Sequence, residues 1–175
     1  MAGGMSAGRW SSSKRSGSLS KLRAEWTSSV VGSCASIRFI RSKKGSAAVP
    51  GDIYVSERQT DGSFGPASPV VELNSAGNDI QPNVRKDGLE LVFSSNHAYP
   101  GAQGLQDVYA STRDSVEDPW STPVNLGTAV NTGAAETRPS MSWNALTLLF
   151  GRAPGPEGMS DIYVSTRTKL TGSGS

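Results

Sequence analysis

Cysteine and histidine are nearly absent from this chain, with Cys34 and His97 the single representatives of each. One cysteine excludes an intramolecular disulfide, and one of each leaves neither a Cys/His zinc cluster nor a Cys–His nucleophile pair. Long apolar runs are missing as well. No segment approaches the ~18 apolar residues of a membrane span, and the start, MAGGMSAGRWSSSKRSGS, has no apolar core of the kind a signal peptide carries. The chain therefore reads as one without a membrane span and without an export signal, and its compartment stays open.

Charge is modest, at 18% of residues and a formal net value of +2. The basic surplus sits mainly before residue 45, in Arg9, Lys14, Arg15, Lys21, Arg23, Arg38, Arg41, Lys43 and Lys44, interrupted by Glu25. Such a leader can meet nucleic acid or an anionic membrane. No aromatic–basic interleaving and no nucleic-acid motif accompanies it, so a solvated leader is preferred and nucleic acid is not expected as a partner. What the chain does have is 20 Gly, 10 Pro and many Ser beside 35% hydrophobic residues. That balance suits short strands joined by frequent turns and leaves little room for long helices.

A repeat organises these strands. DIYVSER (Asp52 to Arg58), DVYASTR (Asp107 to Arg113) and DIYVSTR (Asp161 to Arg167) start 55 and then 54 residues apart. Each alternates β-branched or aromatic residues in the strand manner. Upstream lie IRFI (Ile37 to Ile40), LELVF (Leu89 to Phe93) and LTLLF (Leu146 to Phe150), which place Phe39, Phe93 and Phe150 at equivalent positions. Further upstream an acidic-x-x-Pro/Ser element opens every unit: Glu25 with Ser28, Asp79 with Pro82, Glu136 with Pro139. Asp87-Gly88 predicts a two-residue hairpin in the middle copy, and Trp143, Asn144 and Ala145 form a weaker turn in the third. Downstream, Phe64, Pro69, Val70 and Leu73, then Trp120, Pro123, Val124 and Leu126, mark an outer strand. Trp10 and Leu19 stand at the matching distances from Glu25.

With the strands of a unit written a, b, c and d, the expected order along the chain is d, abcd, abcd, abc. The fold class is then all-β, with about three four-stranded antiparallel blades of an incomplete β-propeller ring. The expected divisions are a basic, Ser-rich leader at 1–24 that includes one outer strand, a degenerate blade at 25–78, a blade at 79–135, an incomplete blade at 136–170 and a tail at 171–175. Propellers ordinarily need about 4 to 8 blades. The expectation is therefore either a fragment of a longer chain or two copies that complete a six-blade ring.

The residues Asp79, Pro82, Asp87, Gly88, Leu91, Phe93, Ser94, Ser95 and Asp107 to Arg113 resemble the TolB-like β-propeller repeat. So do Glu136, Pro139, Ser140, Ser142, Leu148, Phe150 and Asp161 to Arg167. The likeness covers about residues 25 to 167, and the first copy departs from it in having Ser28 for the proline and no Asp-Gly turn. The resemblance implies an exported bacterial type of protein whose propeller binds other proteins or ligands without catalysis and needs no cofactor. Similar repeats also form the propeller of some serine peptidases, so the alternative is the propeller portion of a hydrolase, a peptidase or glycosidase, whose catalytic part lies elsewhere.

Three sets of residues are candidates for a role. By the family's strand order Glu25, Asp79 and Glu136 would lie near the rim of a central channel, where like charges can hold a cation or basic ligand. The preferred reading is that each caps backbone NH groups in its own turn. Asp52, Asp107 and Asp161 open the third strand and are read as fixing the loop before it by side-chain to backbone hydrogen bonds. Tyr54, Tyr109 and Tyr163 are read as packing between blades rather than as a sugar-binding shelf. His97, in the loop SSNHAYPGAQGLQ, is read as a lone exposed histidine without a nucleophile to activate. GAQG (Gly101 to Gly104) lacks the lysine and helix of a phosphate loop. No window fits the sialidase Asp-box, so paired-carboxylate glycosidase chemistry is not expected. No metal site and no catalytic residue is assigned.

Overall fold

The computed structural model describes residues 10–13, 37–40, 51–156 and 158–168. Among them there is no helix, and eleven strands form three antiparallel sheets, none closed on itself. In chain order the strands are β1 (Ser11–Ser13), β2 (Ile37–Ile40), β3 (Tyr54–Glu57), β4 (Ser68–Pro69), β5 (Asp79–Val84), β6 (Glu90–Ser95), β7 (Asp107–Thr112), β8 (Val124–Asn125), β9 (Ala135–Met141), β10 (Thr147–Ala153) and β11 (Asp161–Thr166). The N-side sheet has the order β2-β3-β4 and the central sheet β5-β6-β7-β8. The C-side sheet runs β9-β10-β11 and is completed at its edge by β1, with Ser11 opposite Thr166.

These pairings follow the strand order expected from the sequence, with one gap. The a strand expected around Glu25 and Ser28 lies outside the described residues, as do Leu19 and Cys34. The outer strands are shorter than expected. Leu73 and Leu126 fall beyond β4 and β8, because once two residues have paired the chain turns inward, and Leu73 is fully buried in the core instead.

The Asp87-Gly88 turn differs from the two-residue hairpin expected there. The Arg85 amide donates to Glu90 O at 2.7 Å and Gly88 N to Arg85 O at 2.8 Å, which leaves four residues between the paired ends. Gly88, at φ 79°, takes the left-handed conformation, and Asp87 Oδ1 accepts the Leu89 amide at 3.0 Å. The aspartate's affinity for the amide two residues on widens the loop. In the C-side sheet Ala145 takes the left-handed place, at φ 55°.

Alternation decides what each face of the central sheet meets. Leu91, Phe93 and Tyr109 join Ile53, Val70 and Leu73 in one core, while Val92, Val108 and Ala110 join Trp10, Met141, Leu148 and Phe150 in another. The central sheet is thus covered on both sides. The edge strands β5 and β9 each carry an irregularity, and Gln81 (φ 59°) and Arg138 (φ 54°) take up the backbone bend. There β5 side chains grip the β9 backbone: Gln81 Oε1 accepts the Arg138 amide at 2.7 Å and Asn83 Oδ1 the Met141 amide at 2.9 Å.

Candidate functional site

Two rows of polar side chains cross the sheets where β5, β7, β9 and β11 begin. In the central sheet Asp79, Ser95 and Asp107 are direct cross-strand partners, and in the C-side sheet Glu136, Arg152 and Asp161 are. Asp79, Asp107 and Glu136 are buried. A buried carboxylate is tolerated only where donors surround it, and the chain supplies those donors locally. Asp79 Oδ2 accepts the Ser75 amide at 2.6 Å and the Ser75 hydroxyl at 2.7 Å. Glu136 accepts the Thr132 amide at 3.0 Å and the Thr132 hydroxyl at 2.6 Å. Each acid therefore does cap the turn four residues before it. Glu25, the third member of that set, lies outside the described residues.

The two rows differ at their centre. Arg152 Nε pairs with Glu136 Oε1 at 2.6 Å, its guanidinium donates to Val130 O at 2.8 Å, and it lies 4.2 Å from the centre of the Tyr163 ring. Among the described residues Ser95 puts no cation beside Asp79, and Asp79 Oδ1 and Asp107 Oδ1 complete no hydrogen bond. Burial pushes the Asp79 carboxyl above the usual carboxylate range, opposed by the nearby Ser95 hydroxyl, by Ser75 and by the charge of His97. The Ser95 hydroxyl lies close enough to favour the anion and also accepts the His97 amide at 3.0 Å.

Of the aspartates that open the third strands, Asp107 behaves as expected, its Oδ2 accepting the Gln103 amide at 2.6 Å and Asn125 Nδ2 at 2.8 Å. The Asp161 carboxylate lies over Gly155 of the loop before it, where any residue with a Cβ would collide with it. The loop before Asp52 lies largely outside the described residues. Tyr109 is fully buried and Tyr163 stacks on Phe150 with ring centres 5.9 Å apart, both as packing residues, whereas Tyr54 is half-buried and joins neither core cluster of the described residues.

His97 is not a lone exposed histidine. It is half-buried, edge-on to Tyr99 at 4.4 Å; Tyr99 is edge-on to Tyr109 at 5.1 Å, and Tyr109 tilts over Phe93 at 6.0 Å. Tyr109 Oη donates to His97 O at 3.2 Å and locks the ladder to the loop. Burial raises the hydroxyl pKa of both Tyr99 and Tyr109. Both stay neutral donors at physiological pH.

His97 and Tyr99 of this ladder line a groove of about 430 Å³, together with Glu72, Asn74 and Ser75 from the segment before β5 and Trp120 and Thr122 from the segment before β8. Donors, acceptors, aromatic faces and one carboxylate converge there, a combination that can hold a polar ligand. No set of three or more His, Cys, Asp or Glu side chains able to hold a metal ion occurs among the described residues.

The residues that sequence reasoning missed are the asparagines behind the acids. Asn74 accepts the Ile53 amide at 2.6 Å and donates to Ile53 O at 3.0 Å, and Asn131 does the same to Val108 at 2.8 and 2.9 Å. The signal was present, since Asn-Ser and Asn-Thr stand five residues before Asp79 and Glu136. Set against known proteins, the chain matches no family model and no curated protein, so its candidate groove is defined by its own geometry.

Proposed function

We propose that the chain is a set of β-propeller blades acting as a non-catalytic binding module, with the groove lined by His97, Tyr99 and Glu72 as its ligand face. The observation that carries this reading is the His97–Tyr99–Tyr109 ladder. It sets aromatic edges at a groove where Glu72, Asn74, Ser75 and Thr122 stand beside the apolar Trp120 and Pro123. Pre-organised walls lower the entropy lost on binding. Strand pairing supports the blade part of the proposal, because β1 completes the sheet formed by the last three strands, the usual fastening of a propeller.

A thermal-shift screen of small polar compounds and short peptides tests the reading. Hits should lose their shift in His97→Ala and Glu72→Ala. Hits indifferent to both changes, or turnover of ester, peptide or glycoside substrates by the purified chain, would overturn it.

A further inference from the structure

In the central sheet Val92, Val108 and Ala110 share one face, and the C-side sheet buries all three to 3% exposure or less. At the matching positions one sheet further on stand Leu149, Ile162 and Val164. There Leu149 is 46% exposed, Ile162 is 65% exposed and Val164 is half-buried. Apolar side chains that one sheet hides are open on the next.

Connectivity says what belongs on that face. β4, the outer strand of the N-side sheet, leads to β5, and the central sheet so begun covers the N-side sheet. β8 leads to β9 in the same way, and the C-side sheet covers the central one. β1 is the outer strand of the C-side sheet, and the chain after it leads to β2 of an N-side sheet. By the same rule an N-side sheet belongs on Leu149, Ile162 and Val164. This chain's own N-side sheet is engaged through Ile53, Val70 and Leu73 with the far face of the central sheet, and it leaves Ile162 open.

We infer that a second copy of this chain covers the face: the N-side sheet of each copy lies on the C-side sheet of the other, and the two copies exchange β1. The inference rests on the blade reading above. The two contacts are identical, so six sheets close into one ring and the association stops at two copies. Exchange keeps every contact that β1 makes here, with the neighbour's β1 in place of the chain's own. These contacts include the antiparallel pairing with β11, the Ser11 hydroxyl to Thr166 O at 3.2 Å, the Ser165 hydroxyl to Ser11 O at 3.0 Å, and the Arg167 guanidinium 4.6 Å over the Trp10 ring. The copy that supplies β1 then also covers the open face of the C-side sheet.

The full chain should sediment at twice the monomer mass. Ile162→Glu should weaken the dimer at least about tenfold with the circular dichroism unchanged, and Leu149→Lys should act likewise should Ile162→Glu disturb folding. In a Cys34→Ser background, the Ser11→Cys, Thr166→Cys pair should oxidise to a covalent dimer on a non-reducing gel. A single-copy mass at every concentration, an open ladder of larger species, or a dimer indifferent to both face changes would overturn the inference. A disulfide formed only within one chain would overturn the exchange of β1. A folded monomer that still binds groove ligands would leave the binding-module reading standing, whereas a dimer with a silent groove would remove only that reading.

Discussion

Arg152 Nε donates to Glu136 Oε1 at 2.6 Å, and at the same cross-strand position of the central sheet Ser95 stands between Asp79 and Asp107 with no cation to offer. One buried acid is neutralised by a neighbour on its own sheet. The other two rely on amides, hydroxyls and an asparagine, and among the described residues each keeps one oxygen without a hydrogen bond.

Removing the cation from the first row strands a fully buried carboxylate. Arg152→Ala should cost roughly 3–5 kcal/mol, the range for breaking a buried pair from one side. Arg152→Ala with Glu136→Gln should recover a large part of the loss. Urea unfolding of the two variants measures both, and a double variant no more stable than the single one would contradict the assignment.

The second row predicts a pH dependence. The folded-state pKa of Asp79 is raised by burial, so the unfolded chain ionises first as pH rises. The stability this group contributes is complete below its unfolded pKa of about 3.9 and is lost as pH climbs through the folded value. Asp79→Asn removes that titration. The unfolding midpoint of the parent should therefore gain on that of Asp79→Asn between pH 7 and pH 4, and parallel pH curves would refute the prediction.

Asn131 satisfies both backbone groups of Val108 in a buried setting, and Asn74 does the same for Ile53 in a partly buried one. Leaving buried donors and acceptors unpaired costs about 1–3 kcal/mol each. Asn131→Ala should lose roughly 2–4 kcal/mol and Asn74→Ala less, because Asn131 is fully buried and Asn74 only partly so. Thermal unfolding of the two variants gives the order.

Glu90 accepts Arg167 through both oxygens, at 2.7 and 2.6 Å, and so ties the central sheet to the end of β11, where the same guanidinium covers Trp10. Arg167→Lys keeps the charge but not the planar fork. It should destabilise the protein by about 1–2 kcal/mol, of the order of one charge-assisted hydrogen bond. Trp10 fluorescence should shift toward that of an exposed indole, read in a background with Trp26, Trp120 and Trp143 changed to Phe. An unshifted spectrum would show that Arg167 does not hold β1.

The strands and their order were legible because they depend on short-range regularities. Ile53, Val108 and Ile162 recur with a tyrosine beside each, and a period-2 pattern can be satisfied only by extended chain. That the acids cap their turns was legible for the same reason, since Ser75 and Thr132 lie four residues away. The turn at Gly88 was misjudged because the Asp87 side chain competes for a backbone amide, a local contest that the Asp-Gly signal does not resolve. The weaker turn at Ala145 still forms, its alanine accepting the conformation that Gly88 takes easily.

The sequence by itself determined an all-β chain, the positions of its b and c strands, and the belonging of a strand near Trp10 with the strands at the other end. Only the tertiary structure decided which acid has a cation, that His97 is part of an aromatic ladder, that Asn131 serves Val108, and that Ile162 is open where Val108 is closed. Periodicity is a property of neighbours along the chain. Burial and charge pairing depend on which sheet comes to lie on which, and groups as far apart as Glu90 and Arg167 meet only once the sheets have stacked.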